Sequence, residues 1–253
     1  MHERRTVESD QAAGLRHIFG VTSARLVPVL VDFGRATEQV TSIVRLAQAC
    51  ARAGERTLVV DCARAQVAAS LGLRARFDLL HALRGECVLQ QVCLDAGSYL
   101  GLLPAARAAA QAEQIPVEFI TLLAELTQGP CVADVVLLIL DPSQFALLRS
   151  LERCEVIVPM PRERTAFTGL LRGLCKFGDG ADIAGFRLLF PAWDADSAAR
   201  LYEELVRACR DRLGSELRFG GAVRVAHDWL RVVRALNDWD LARLPRPQTV
   251  RTF

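Results

Sequence analysis

The sequence predicts an α/β fold: a mostly parallel sheet with helices on both faces, preceded by a separate N-terminal amphipathic helix. Three observations predict it. Short runs rich in Val, Leu and Ile alternate along the chain with stretches of helical periodicity. The runs are apolar at consecutive rather than alternate positions, as in "DVVLLIL" (134–140), which is the pattern of strands buried on both faces. Junctions are sharply punctuated: in "ARAGERTLVV", Gly54 stands where a helix C-cap needs positive φ, and a β run follows at once.

In chain order, a helical segment near Glu8–Phe19 leads through "GVTSARLVP" to a strand at Leu26–Val31. A helix from about Thr37 to Ala53 and a strand at Arg56–Asp61 complete a strand–helix–strand unit. Short helices in "ARAQVAASLGL" and "FDLLHALRGE" precede the strand "YLGLLPA". The helix "VEFITLLAELTQG" leads to the strand "DVVLLIL", and the helix "SQFALLRSLER" to the strand "CEVIVPM". "RTAFTGLLRGLCKF" reads as a helix, "GFRLLFPAW" as a strand, and "SAARLYEELVRACRDRLG" as an amphipathic helix closed by Gly214. A last strand "LRFGGAV" and a helix from Ala226 to Asn237 precede "LARLPRPQTVRTF", which reads as an unstructured tail. The division expected is an N-terminal helix and linker over 1–22, one α/β domain over 23–245, and a flexible tail over 246–253.

Composition narrows the function classes. With 51% hydrophobic and 24% charged residues in 253, the chain has an ordinary globular balance and enough length for a large core. A net charge of +2 with no block of like charge argues against a nucleic-acid partner. The longest apolar run falls well short of the ~20 residues that a spanning helix needs, so no stable membrane insertion is expected. The charged start "MHERRTVESDQ" lacks the apolar core of a secretion signal, and the expected location is the cytoplasm. Eight cysteines are scattered without a C-x-x-C pair or a histidine at ligand spacing, and read as small core hydrophobes rather than a metal site. The thirty-one basic residues include one lysine, Lys176.

That scarcity matters at "VLVDFGRATEQVTSIVRLAQACARAGERTLVVDC" (29–62). A strand–turn–helix–strand unit of this kind usually holds phosphate at its turn, where glycines let backbone N–H groups converge and a lysine and a hydroxyl supply charge and a magnesium ligand. The turn "DFGRATEQV" offers Gly34 alone, so no nucleotide cofactor is expected. From Leu26 to about Leu244 the order of segments resembles the MinD/ParA superfamily of deviant Walker ATPases, whose first loop reads KGGVGKT. The resemblance rests on "VRLAQACARAGERTLVVDC", "LHALRGECVLQQV", "LGLLPAA", "CEVIVPMPRERTAFTGLLR" and "FGGAVR". It implies that Gln39 stands at the phosphate-loop lysine, Glu38 at the preceding glycine, Val40 at the magnesium-ligating hydroxyl, and Gly34 at the signature lysine. Asp61 is kept from the family's D-x-D, but Ala63 replaces its second carboxylate. What the resemblance implies is a degenerate, non-enzymatic member. Lacking the ATP that bridges the family's sandwich dimer, it is expected as a monomer, or as a dimer built in some other way. The stretch "AHDWLRVVRALNDWDLARL" reads as a helix packed on the sheet rather than the family's membrane helix.

Upstream, "SDQAAGLRHIF" (9–19) has Asp10 as a helix N-cap and Ala12, Leu15 and Phe19 on one face. Gly14 costs about 1 kcal/mol relative to Ala, and so short a helix orders best against a surface. "DQAAGLR" resembles the D-Q-A-x-x-L-R motif of the FlhG/FleN branch of MinD-like proteins, regulators of flagellar number and placement. All five specified positions match: Asp10, Gln11, Ala12, Leu15 and Arg16. The resemblance implies that this helix binds FlhF, a signal-recognition-particle-type GTPase, and stimulates its GTP hydrolysis. Flagellar switch proteins or a flagellar transcriptional activator are further partners of that branch, and recruitment to the cell pole goes with it. Two alternatives stay open: a pseudo-ATPase scaffold for a polar or secretion complex acting through the sheet domain, with the N-terminal helix docked in cis, and an unorthodox ATPase using Arg35 or Lys176.

Overall fold

A strand buried on both faces needs apolar side chains at every position, and six successive ones in Val135–Leu140 build the centre of the sheet. The computed structural model describes residues 23–31, 36–112, 116–129, 131–149, 151, 154–162, 167–180, 183–209 and 213–245. The predicted N-terminal helix and the tail beyond residue 245 lie outside them. The described chain runs β1 (Arg25–Leu30), α1 (Ala36–Arg52), β2 (Thr57–Asp61), α2 (Val67–Ser70), α3 (Leu79–Leu83), β3 (Leu94–Asp95), β4 (Leu100–Pro104), α4 (Ala106–Ala112) and α5 (Pro116–Gln128). It continues through β5 (Val135–Leu140), β6 (Cys154–Pro159), α6 (Phe167–Gly180), β7 (Ile183–Pro191), α7 (Ala195–Cys209), β8 (Glu216–Val223), α8 (Ala226–Ala235) and β9 (Ala242–Arg243).

The strands form one sheet in the order β3-β4-β2-β5-β1-β6-β7-β8, with β9 paired to β1. Pairing from β4 through to β8 is parallel throughout, as the apolar runs predict, while β3 and β9 join antiparallel. Alternate side chains divide the core in two. Val27, Val29, Val59, Leu137 and Ile139 meet α1 and α8 through Ile43, Leu46, Trp229 and Val232. Leu26, Leu30, Val60, Leu138 and Val158 face the opposite layer, where Leu79, Ala109, Leu123, Leu170 and Leu205 come from α3 to α7. This is the α/β sheet covered on both faces that the sequence predicts.

Four segments differ from the sequence reading. "SQFALLRSLER" forms a 3-10 turn at Gln144–Leu148 rather than an α-helix, because the Gln144 side chain is drawn inward to backbone groups of Asp141 and Cys62. The short helix α4 and the edge strand β3 were not legible as separate elements. The "LAR" of the expected tail is ordered: β9 pairs with β1 at Arg25↔Arg243 and Leu26↔Ala242, and the Leu244 N–H donates to the Ala24 carbonyl at 2.9 Å.

The insertion of β9 accounts for a proline in a central strand. Arg25 and Val31 donate their N–H groups toward β5, so the even positions of β1 face the other side. Pro28, without an N–H, falls where β9 gives way to β6, which pairs with β1 only at Val29↔Ile157. At the far edge, β7 and β8 approach so closely that a Cβ on Gly185 would stand 2.5 Å from the Glu216 carbonyl oxygen.

One buried charge anchors this side of the sheet. Glu155 on β6 is fully buried and accepts from Arg187 Nε at 2.8 Å and Nη2 at 2.7 Å, and from Arg218 Nη1. Arg187 lies over the Trp239 ring at 4.4 Å, and the Glu155 N–H donates to the Asp240 carbonyl, so the same group fixes the C-terminal segment beneath β6. Removing one partner of such a cluster strands the other charge in the interior. Because Arg218 is partly solvated, Glu155→Ala is expected to cost about 3 kcal/mol in urea unfolding, near the lower end for buried pairs.

Candidate functional site

In an open parallel sheet the natural ligand position lies beyond the carboxyl ends of the strands. Here that edge is formed by the ends of β1, β2, β5 and β6 and the first turn of α1. Gly34 and Arg35, in the turn between β1 and α1, lie outside the described residues, as do the partner-binding positions Asp10, Gln11, Ala12, Leu15 and Arg16. Of Lys176, only the backbone within α6 is described.

The residues at the start of α1 are engaged with the protein itself. Gln39 is 3% exposed and its Nε2 donates to the Pro159 carbonyl at 3.0 Å, closing α1 onto the end of β6. Val40 is buried in the α1 core layer with Ile43 and Leu46. Glu38 is exposed; its carboxylate accepts the Arg162 N–H at 3.2 Å, and its carbonyl accepts the Ser42 hydroxyl at 2.9 Å. The first turn of α1 is thus joined to the last residue of β6 and to the segment that follows it.

Asp61 ends β2 and is 8% exposed. Its carboxylate accepts the N–H groups of Ala65 at 2.9 Å and Val67 at 3.3 Å, folding "DCARAQV" into a tight loop with Arg64 and Gln66 at positive φ. Burial pushes the Asp61 carboxyl above its ordinary range, against the opposing pull of those backbone N–H groups. Ala63 is buried at the centre of the same loop. Beside it, the Cys62 N–H donates to the Ile139 carbonyl, while the Cys62 carbonyl accepts from Gln144 Nε2 at 2.8 Å. Gln144 Oε1 in turn accepts the Asp141 N–H at 3.0 Å, linking the ends of β2 and β5 through one buried amide.

Asp78 performs a similar task below this edge. It accepts from Leu80 N–H at the start of α3 and from Arg107 and Ala108 N–H at the start of α4, so one carboxylate caps two helices. The pattern "DLLH" carries a cap signal, with His81 returning to the Asp78 N–H; the reach to α4 across 29 residues does not show in sequence. Sequence reasoning likewise missed Gln144, whose partners lie on two different strands.

A cavity of about 830 Å³ lies elsewhere, near the amino ends of β2 and β4, lined by Arg56, Cys93, Asp95, Tyr99 and Cys131 among others. Cys93 and Cys131 share a hydrogen bond there that lowers the Cys93 thiol and raises that of Cys131. Cys50, Cys154 and Cys209, in helices and a strand, are core groups; burial raises the Cys50 thiol to about 12. No cluster of three metal-ligating side chains occurs among the described residues.

Comparison with known proteins places this geometry in a fold. No protein-family model matches the chain, and no curated protein matches it. Among solved structures, a plasmid partition protein from Borrelia burgdorferi superposes with a TM-score of 0.58 at 14% identity, covering 86% of this chain and 99% of that one. The MinD cell division protein of Aquifex aeolicus gives 0.58 at 16% identity over 85% and 97%. Cobyrinic acid a,c-diamide synthase from Mycobacterium smegmatis, with bound ADP and magnesium, gives 0.59 at 17% identity over 88% and 99%. The fold is that of the MinD/ParA-like proteins. No helix among the described residues is long and apolar enough to cross a membrane.

The role of Asp61 is directly testable. Asp61→Ala leaves the Ala65 and Val67 N–H groups without their acceptor, and is expected to cost about 1–3 kcal/mol in urea unfolding. Since its carboxyl is raised in the folded state, its contribution is full below the unfolded value of ~3.9 and is lost as pH rises through the folded value. The loss measured near about pH 4 should therefore exceed that near about pH 7.

Proposed function

We propose that this chain is a nucleotide-independent MinD/ParA-like regulator of flagellar number or placement, which binds the SRP-type GTPase FlhF through its N-terminal helix and stimulates GTP hydrolysis there. The observation that carries the reading is the five-residue match Asp10, Gln11, Ala12, Leu15 and Arg16, set ahead of a domain with a MinD/ParA-like fold. Leu15 and the alanines supply the apolar face, and Gln11 and Arg16 the polar contacts near the partner's nucleotide. The chemistry belongs to the partner; this chain acts on its rate, by direct contact with the phosphates or by ordering the partner's own groups.

The absence of ATPase activity is part of the proposal. The cobyrinic acid synthase of like fold binds ADP and magnesium. In this chain, Gln39 at the expected lysine position supports an intramolecular hydrogen bond, Val40 at the expected magnesium ligand is core, and Glu38 would set a carboxylate beside the phosphates. Like charges at contact distance cost about 1–4 kcal/mol at effective dielectric constants between water and a protein surface.

Two measurements test these points. Titration with ATP and magnesium in a calorimeter is expected to give no binding heat in the micromolar range. In a GTP hydrolysis assay with FlhF, Leu15→Ala in the full chain is expected to weaken stimulation about 10-fold or more, from the loss of roughly 1.5–3 kcal/mol of apolar burial. Gln11→Ala should lower the maximal rate, and removal of residues 1–20 should abolish the effect. Stimulation that persists without those residues sinks the reading.

A further inference from the structure

We propose that a pocket between α1 and α8 is a binding site for a doubly charged phosphate group. The pocket, about 280 Å³, is lined by Arg45, Gln48 and Arg52 from α1 and by Arg224, Val225, Ala226 and Trp229 at the start of α8. Arg45, Gln48 and Arg52 fall at i, i+3 and i+7, one face of the helix, and with Arg224 just before α8 three arginines line one concavity. No carboxylate lines it.

The less exposed arginines along the sheet are paired, Arg25 with Glu55, Arg56 with Asp134, and Arg187 and Arg218 with Glu155, whereas Arg45, Arg52 and Arg224 are exposed. Among the described residues, the guanidinium groups of Arg45, Arg52 and Arg224 have no such partner. Three positive side chains around one pocket attract an anion more strongly than any one of them alone. Planar guanidinium groups match the paired oxygens of phosphate, and Gln48 adds a neutral donor.

The second, independent observation is Trp229 in the pocket wall. It is 3% exposed, and its indole Nε1–H is buried without an acceptor. An unpaired buried donor is uncommon and unfavourable. The ring lines the pocket, so its indole resonance reports an occupant there. The N–H groups of Arg224 and Val225 are not available, since both donate to Asp228.

The site is distinct from the edge described above. At 1.5 Å per residue, Arg45 and Arg52 lie about 13 and 24 Å along α1 from Ala36. The pocket suits the terminal phosphate of a small molecule or of a lipid headgroup, and the two sources are separable by experiment.

The test uses the full ¹⁵N-labelled protein titrated with inorganic pyrophosphate. The Trp229 indole resonance, assigned by Trp229→Phe, is expected to shift saturably. The exposed double substitution Arg45→Ala/Arg52→Ala should weaken that binding about 100-fold, from two charged hydrogen bonds, with the melting temperature unchanged. A parallel arm measures co-sedimentation with phosphatidic acid vesicles against phosphatidylcholine vesicles. Arginine-dependent binding to pyrophosphate supports a free phosphate ligand, and binding only to phosphatidic acid through the same arginines supports a headgroup. Absence of binding in both arms, equal shifts in the double variant, or binding to duplex DNA alone overturns the proposal.

Discussion

The structure depends on β5 being accepted by protein on every side. Val135–Leu140 is flanked in parallel register by β1 over six residues and by β2 over five, and every side chain in it is buried. A strand in that position cannot carry a polar residue on either face without leaving it unpaired, so its sequence is apolar throughout. Its two faces then set the two core layers, and the helices take positions according to which alternate row they cover. Helices α1 and α8 lie together because Val27, Val59 and Ile139 point their way.

Polar groups enter this frame only where backbone groups need partners. Asp61, Gln144 and Gln39 each bridge the carboxyl ends of neighbouring strands or the loops that leave them, and Asp78 serves two helix starts. At the opposite end Glu155 holds Arg187 and Arg218, and through Trp239 the chain's return beneath β6. The edge at which related folds place ligands is in this chain stitched together by its own amides and carboxylates. The nucleotide-independent frame proposed above rests on these internal bonds.

Much of the fold was legible because it rests on local periodicity. The runs in β2, β5 and β6 are apolar at consecutive positions, and α7 repeats apolar residues at helical spacing, so neither needed a partner to be recognised. Misreadings share a cause. The helix expected after β5 became a 3-10 turn because Gln144 turns inward to Cys62, a residue 82 positions away. The "LAR" near the C-terminus looked like a tail because two residues of strand have no periodicity to read; they are ordered by a gap beside β1.

The sequence by itself determined the class of fold, the burial of the strands and a first turn with one glycine and no lysine, since each is a property of residue type and spacing. The five positions from Asp10 to Arg16 are likewise a matter of sequence. Only the tertiary structure decided that Gln39 is bonded to Pro159, that Pro28 sits at the seam between β9 and β6, and that Arg45, Arg52 and Arg224 converge without a carboxylate. These join residues tens to hundreds of positions apart. Such contacts follow from which strands become neighbours, and local patterns in a chain carry no record of that choice.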